Sequence, residues 1–246
     1  MTTPLTPTVA TIAKSYTALP HTPNCRRLLS GADHLLIGVS PGNSYYRIPT
    51  LARMLRWAHA TFQRVDVIVP DRSLAANYRA QGYPEQVARK KARTEISSVR
   101  RRVRRAFESS GIPEAEQRTH QLSELAQCPA YRALHQRVRD ALATDEHTRR
   151  VCREVTARAV TGSQDGRQST QDETPQADPT GLALEYLIDE LPFFIDTPSI
   201  LGVPTSLASY HAPVPFADLL YTENGPLRAT ADQGLVLLSE NSAEHR

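Results

Sequence analysis

Gly38-Val39-Ser40-Pro41-Gly42 sets a serine in GxSxG spacing, directly after the apolar run HLLIGV at 34–39. This spacing matches the nucleophile elbow of α/β-hydrolases, where a strand ends, the chain turns sharply and the serine hydroxyl stands exposed. Such a serine attacks an ester or amide carbonyl and holds the acyl group as a new ester. Pro41 argues against an ordinary esterase. The elbow uses the backbone N–H after the nucleophile as an oxyanion donor, and proline has none. No HGGG-like segment precedes the motif. A plain turn serine is the other reading of this stretch.

In EYLIDELPFF (185–194), Tyr186 and Glu190 are four apart and share one face of a helix. A carboxylate in such apolar surroundings needs a partner, and a substrate ammonium would serve as one. A hydroxyl–carboxylate pair at a helix surface is the alternative. Further on, Tyr210-His211 follows SLAS. A single histidine is commonly structural, yet it titrates near neutrality and can relay protons.

The segment 84–108, PEQVARKKARTEISSVRRRVRRAFE, holds nine basic residues against Glu85, Glu95 and Glu108, a local net charge of +6 in a chain of +3. At about 100° per residue, Arg89, Arg93, Arg100 and Arg104 fall within about 60° of one another, and Lys90, Arg101 and Arg105 widen the arc to about 160°. Ala88, Ala92, Ile96, Val99, Val103 and Ala106 share an apolar arc of about 80° elsewhere on the wheel. One face therefore docks on the protein while another presents cations. A solvated charged face would explain such a run. Mostly arginine and nearly all of one sign, however, it suits the phosphates of a nucleic acid, RNA or DNA.

These groups need elements to position them. HLLIGV and VDVIVP (65–70) read as buried strands. Pro49 suits a helix start, with Leu51, Met54, Leu55 and Ala58 at helical spacing, and a second helix is expected from about Asp71. Strand, helix, strand, helix predicts an α/β fold with a mostly parallel, doubly wound sheet. Helices are expected from Pro84 to about Val160 and over 181–194, and SLASYH and GLVLLS are expected to complete the sheet. Residues 1–30 read as an N-terminal arm, 31–246 as a single catalytic domain, and the polar stretch 161–180 as a mobile loop within it.

The apolar fraction of 40% is that of a soluble protein. No uncharged apolar stretch reaches the roughly 20 residues of a membrane helix, and no basic-then-apolar leader opens the chain. Cys25, Cys128 and Cys152 are odd in number and form no ligand pattern, which points to a reducing cytoplasm and no structural metal.

Taken together, GVSPGNSYY (38–46), the arginine-rich helix, YLIDELPFF (186–194) and SYH (209–211) resemble the cyclodipeptide synthases over roughly residues 30–240. The resemblance implies a Rossmann-like domain akin to the catalytic domain of class I tyrosyl- and tryptophanyl-tRNA synthetases, without their ATP-binding motifs. No HIGH-like or KMSKS-like segment occurs here. It implies two aminoacyl-tRNAs as substrates, no cofactor, and a cyclic dipeptide made by ping-pong transfer through an ester on Ser40. Tyr186 and Glu190 would hold the α-ammonium and later handle its proton. Asn43, Tyr210 and His211 match the trio of one family branch and would orient the nucleophile and carbonyl. Leu36, Gly38, Phe193 and Ala208 would line the first aminoacyl pocket. Arg89, Lys90, Arg93, Arg100, Arg101, Arg104 and Arg105 would meet tRNA. The enzyme is expected to act as a monomer. A serine hydrolase and a non-catalytic RNA-binding protein are the competing readings. The first leaves the cationic helix unexplained, the second Ser40, Glu190 and His211.

Overall fold

A computed structural model describes residues 15–164 and 179–241, with the side chains of 159–164 and 179 left aside. Six strands form one sheet: β1 (Tyr16–Pro20), β2 (His34–Gly38), β3 (Arg64–Val69), β4 (Thr119–Gln121), β5 (Ser206–Tyr210) and β6 (Gln233–Glu240). Their spatial order is β1-β6-β5-β2-β3-β4. Every pairing is parallel except that of β1 with β6. Without β1, the remaining five strands follow the Rossmann order 3-2-1-4-5, with β2 as the first strand and only the sixth strand missing. The chain reverses its direction of travel across the sheet between β2 and β5. In open α/β sheets ligands bind outside the carboxyl ends of the strands at such a switch point.

Helices cover both faces, so the central strands are largely apolar on both sides, with His34 and Asp66 the buried polar exceptions in β2 and β3. On one face lie α1 (Pro23–Gly31), α2 (Ile48–Thr61) and α4 (Glu85–Ser110), whose Leu28, Leu55, Trp57, Val99 and Val103 pack with Leu35, Ile37, Val65 and Val67. On the other lie α6 (Pro129–Thr144), α7 (Glu146–Gln164) and α8 (Pro179–Leu201). There Val138, Cys152, Leu187 and Leu191 meet Ala208 and Leu235, while Leu36 and Ile68 meet Tyr131 and Phe193. Short helices α3 (Leu74–Ala80), α5 (Leu122–Leu125) and α9 (Ala217–Tyr221) fill the connections.

At the amino ends of the strands a buried polar network crosses four of them. Asp66 on β3 accepts hydrogen bonds from His34 of β2 (3.1 Å), His120 of β4 (2.6 Å) and Arg64 (2.6 Å), and His34 Nδ1 meets Ser206 Oγ of β5 at 2.8 Å. Burial alone would raise the Asp66 carboxyl, but these hydrogen bonds outweigh it and hold it well below the usual carboxylate range. The Ser206–His34–Asp66 order mimics a hydrolase triad. Ser206 is fully buried, however, and stands at the opposite end of the sheet from Ser40. The network fastens strands together and offers no nucleophile.

Several expectations need correction. The segment read as an arm is built into the fold from Tyr16 onward: β1 pairs with β6 from Tyr16↔Glu240 to Pro20↔Val236, and α1 follows. A proline that cannot donate fits an edge strand, and for that reason YTALP carries no strand signal. The helix expected from Asp71 begins at Leu74, after Ser73 in the left-handed region (φ 54°). β4 interrupts the helical region as three polar edge residues, THQ. α8 outlasts 181–194, running from Pro179 to Leu201 through a kink at Asp196. The loop expected at 161–180 lies largely outside the described residues: α7 extends to Gln164 and α8 starts at Pro179.

Candidate active site

Ser40 stands two residues past the end of β2, beside the end of β5, at the switch point. The turn that carries it is specified by sequence. Pro41 supplies a fixed φ, Gly42 adopts φ 73°, and the Asn43 N–H closes onto the Ser40 carbonyl at 3.3 Å. Proline then a positive-φ glycine is the signature of a type II turn. The Asn43 side chain continues the turn by accepting the Tyr45 N–H (2.9 Å).

Tyr210, the last residue of β5, lines both pockets beside Ser40, with its phenol close enough to feel the serine hydroxyl. Burial pushes the Tyr210 phenol up, and the Ser40 contact partly offsets this. On α8, Tyr186 and Glu190 lie on one face as their spacing predicts and line the same pocket, the phenol beside the carboxyl. Burial drives the Tyr186 phenol well above its ordinary range, and the adjacent carboxylate adds to this. Burial pushes the Glu190 carboxyl up to about 7; the Tyr186 hydroxyl opposes this and the neighbouring Asp189 charge reinforces it. A carboxyl with that value exchanges a proton readily at neutral pH.

Ser40, Glu190, Phe194 and Tyr210 form a wall common to two pockets. The first is a narrow pocket of about 50 Å³, lined by Leu36, Gly38, Ile68, Leu122, Phe193 and Ala208, among others. A side chain on Gly38 would begin against Ile68 at 3.9 Å, in the pocket wall. The second, larger and more open, lies between α3, α7, α8 and the segment after β5, with Tyr186, Leu187, Val155 and Phe216 among its walls. All four residues expected in an aminoacyl pocket thus gather in the first. Asn43 and His211 line neither. The His211 ring stacks on Tyr45 (centroids 3.9 Å apart, 8° between planes) and meets Tyr46 edge-on at 5.5 Å. Burial lowers its pKa, so it is neutral at neutral pH. The stacking holds Tyr45 and His211 against each other beside the nucleophile turn.

Asp189 was not singled out in the sequence. Buried next to Glu190, it accepts from Ser73 and pairs with His135 at 3.1 Å, and its backbone carbonyl accepts the Tyr131 hydroxyl at 3.1 Å. These contacts pin α8 to α6 and to the loop after β3. An acidic residue beside YxxxE in an apolar helix was the available signal. Ile68, Pro70, Leu122 and Phe194 were also missed, because pocket residues drawn from five elements share no local pattern.

α4 carries the charge. Arg89, Lys90, Arg93, Arg100, Arg101, Arg104 and Arg105 are all exposed, while Ala88, Ala92, Val99, Val103 and Ala106 are buried and Ile96 is partly so. Arg89 pairs with Glu85 and Arg104 with Glu108. Arg100, Arg101 and Arg104 also line an open polar cleft against Gln117, Thr119 and Gln121. Among the described residues no helix is long and apolar enough to cross a membrane, and no three His, Cys, Asp or Glu residues cluster as metal ligands.

Fold and site define a Rossmann-like α/β protein with a serine, a phenol and a carboxyl shared by two pockets at its switch point. The cyclodipeptide synthase family model matches residues 16–240. The chain is 33% identical over 237 residues to the cyclo(L-tyrosyl-L-tyrosyl) synthase of Mycobacterium tuberculosis, covering 95% of this chain and 79% of that one. It is 33% identical over 220 residues to the cyclo(L-leucyl-L-leucyl) synthase of Bacillus subtilis, covering 89% and 87%. The fold superposes with a TM-score of 0.81, at 32% identity, on a solved M. tuberculosis structure described as demonstrating that cyclodipeptide synthetases are related to type I tRNA synthetases; 93% of this chain and 94% of that one are covered. The chain belongs to the cyclodipeptide synthase family and is an enzyme of cyclic dipeptide synthesis.

Proposed function

We propose that the enzyme takes both amino acids from aminoacyl-tRNAs and joins them in a ping-pong reaction through an aminoacyl ester on Ser40. The observation that carries this reading is the common wall: one serine, one phenol and one carboxyl serve two adjoining pockets. A covalent intermediate in the first pocket is thereby presented to an acceptor in the second.

An aminoacyl ester arrives activated, so no ATP is consumed. Ser40 Oγ attacks the ester carbonyl, with Tyr210 orienting the hydroxyl. The ester C–O bond breaks and the proton lost by Ser40 ends on the departing ribose oxygen. Ionised Glu190, with Tyr186, holds the ammonium of the bound aminoacyl group. A second aminoacyl-tRNA then enters, and its neutral amine displaces Ser40 to form dipeptidyl-tRNA. The dipeptide's own amine finally attacks the remaining ester, closing the ring and freeing the second tRNA. Each aminolysis needs a neutral amine, whereas a free α-amino group has a pKa of about 7.7–8.0. Glu190 binds the ammonium and then takes its proton, and Tyr186 relays it. Asn43 and His211 keep the serine turn and the end of β5 in register.

The exposed arginines of α4 and the cleft beside them suit tRNA phosphates. The first pocket favours a hydrocarbon side chain. Its lining is nearly all apolar, and the Ser209 hydroxyl already bonds the Leu36 carbonyl at 2.9 Å. A tyrosyl hydroxyl at its base would lack a partner, so leucyl, methionyl or phenylalanyl groups fit best. The test is mass spectrometry of the medium from bacteria overexpressing the chain. Cyclic dipeptides with at least one such residue are expected. Their absence, with esterase activity in their place, would favour a hydrolase.

A further inference from the structure

On α4, Glu95 falls at about 240° on the wheel that puts the arginine stripe between 0 and about 160°. It belongs neither to the stripe nor to the buried arc. It shares a third, narrow flank with Lys91 and Arg102, both partly buried. Lys91 Nζ lies over the rings of Tyr83 (4.7 Å) and Tyr78 (5.3 Å), which fixes this flank toward the residues around α3. Glu95 Oε1 accepts the backbone N–H of Gly42 at 2.9 Å, with Arg102 at 3.9 Å from the same oxygen.

Gly42 is the third residue of the turn that begins at Ser40. Types I and II of such a turn differ mainly by a flip of the central peptide, here Pro41–Gly42. The flip reverses the direction of the Gly42 N–H, so an acceptor on that N–H selects one form. Pro41 has no N–H, and the Asn43 N–H is used within the turn. The Gly42 N–H is therefore the central peptide's single donor, and Glu95 takes it. Glu85 and Glu108, the other acids of the segment, pair instead with arginines.

We propose that Glu95 is a positioning residue: its carboxylate holds the Pro41–Gly42 peptide in one orientation and so aims the Ser40 hydroxyl, joining the nucleophile turn to the cationic helix. This rests on the reading of Ser40 as acyl acceptor. Two effects of removing Glu95 then oppose each other. The nucleophile loses its aim, for which a misplacement of about 1 Å can cost on the order of 100-fold in rate. A helix that binds polyanions loses an acid, so tRNA affinity holds or rises. Loss of fold would lower both.

The experiment is single-turnover acylation by tRNA carrying a labelled amino acid, with tRNA affinity measured separately. Glu95→Ala should acylate about ten- to a hundredfold more slowly at saturating substrate, with affinity unchanged or tighter. Glu95→Gln keeps an acceptor oxygen and should recover most of the rate. Hydrogen exchange at the Gly42 amide should accelerate in the Ala variant and not in the Gln variant. Acylation by Glu95→Ala at the wild-type rate, or an equal loss in both variants, overturns the proposal. A wild-type enzyme that carries no label on Ser40 overturns the acyl-acceptor reading itself, and this one with it.

Discussion

Glu190→Gln separates what the carboxylate does for catalysis from what it costs the fold. Burial raises the Glu190 carboxyl from 4.5 to about 7. A gap of that size corresponds to about 3 kcal/mol at 1.36 kcal/mol per pH unit, and solvent reaching the group through the pocket reduces this to about 1–3 kcal/mol. Because the folded value is the higher one, the folded protein binds the proton more tightly. The associated stability is fully present below 4.5 and is lost as pH rises through about 7. Glutamine does not titrate, so the variant should be more stable than wild type by about 1–3 kcal/mol at pH 8 and nearly equal to it at about pH 4. Activity should move the other way. The base is the ionised form, so wild-type aminolysis should fall about tenfold per pH unit below about 6. The Gln variant should lose about 100-fold or more in product formation, with no such limb. Thermal melts at the two pH values and a pH–rate profile of cyclic dipeptide release read both effects. A Gln variant with the wild-type profile, or without extra stability at pH 8, would refute this role and the physical cause given for it.

Arg93 and Arg100 are exposed and form no ion pair among the described residues, unlike Arg89 and Arg104. Replacing either with alanine should weaken binding of every tRNA alike and flatten the log–log salt dependence by roughly one unit, without altering the amino acids incorporated. Unchanged titrations over a salt series would make α4 only a solvated face. Ala208→Leu should fill part of the first pocket and shift the product spectrum toward smaller side chains, at about 1–3 kcal/mol of stability if the wall cannot adjust; an unchanged spectrum would remove this pocket from side-chain selection.

The sequence revealed those parts of the site that depend on local geometry. Tyr186 and Glu190 meet because helical spacing puts i and i+4 on one face, and the serine turn follows from a proline and a glycine side by side. The parallel sheet was legible because β2 and β3 are buried on both faces and read as mostly apolar runs, broken in β3 only by Asp66 after Arg64. β1 and β4 were not legible. Edge strands are paired on one side only, so a proline or three polar residues suffice there. The Asp189 contacts with Ser73, Tyr131 and His135 join residues 116, 58 and 54 positions apart, and the stacking of His211 on Tyr45 and the Glu95–Gly42 hydrogen bond join residues 166 and 53 apart. No periodicity records such pairings. Glu95 in particular looked like one of three acids diluting a basic run, and only its place on the wheel relative to the nucleophile turn gives it a separate role.

The central claim is the covalent intermediate. Wild-type enzyme mixed with one species of aminoacyl-tRNA, quenched in acid and digested, should yield a peptide containing Ser40 heavier by one aminoacyl group. That adduct should disappear when a second aminoacyl-tRNA is added, as cyclic dipeptide appears. Ser40→Ala should give neither adduct nor product and should melt like wild type, since a turn hydroxyl contributes little to packing. An adduct on another residue, or cyclic dipeptide from the Ala variant at the wild-type rate, would contradict transfer through Ser40.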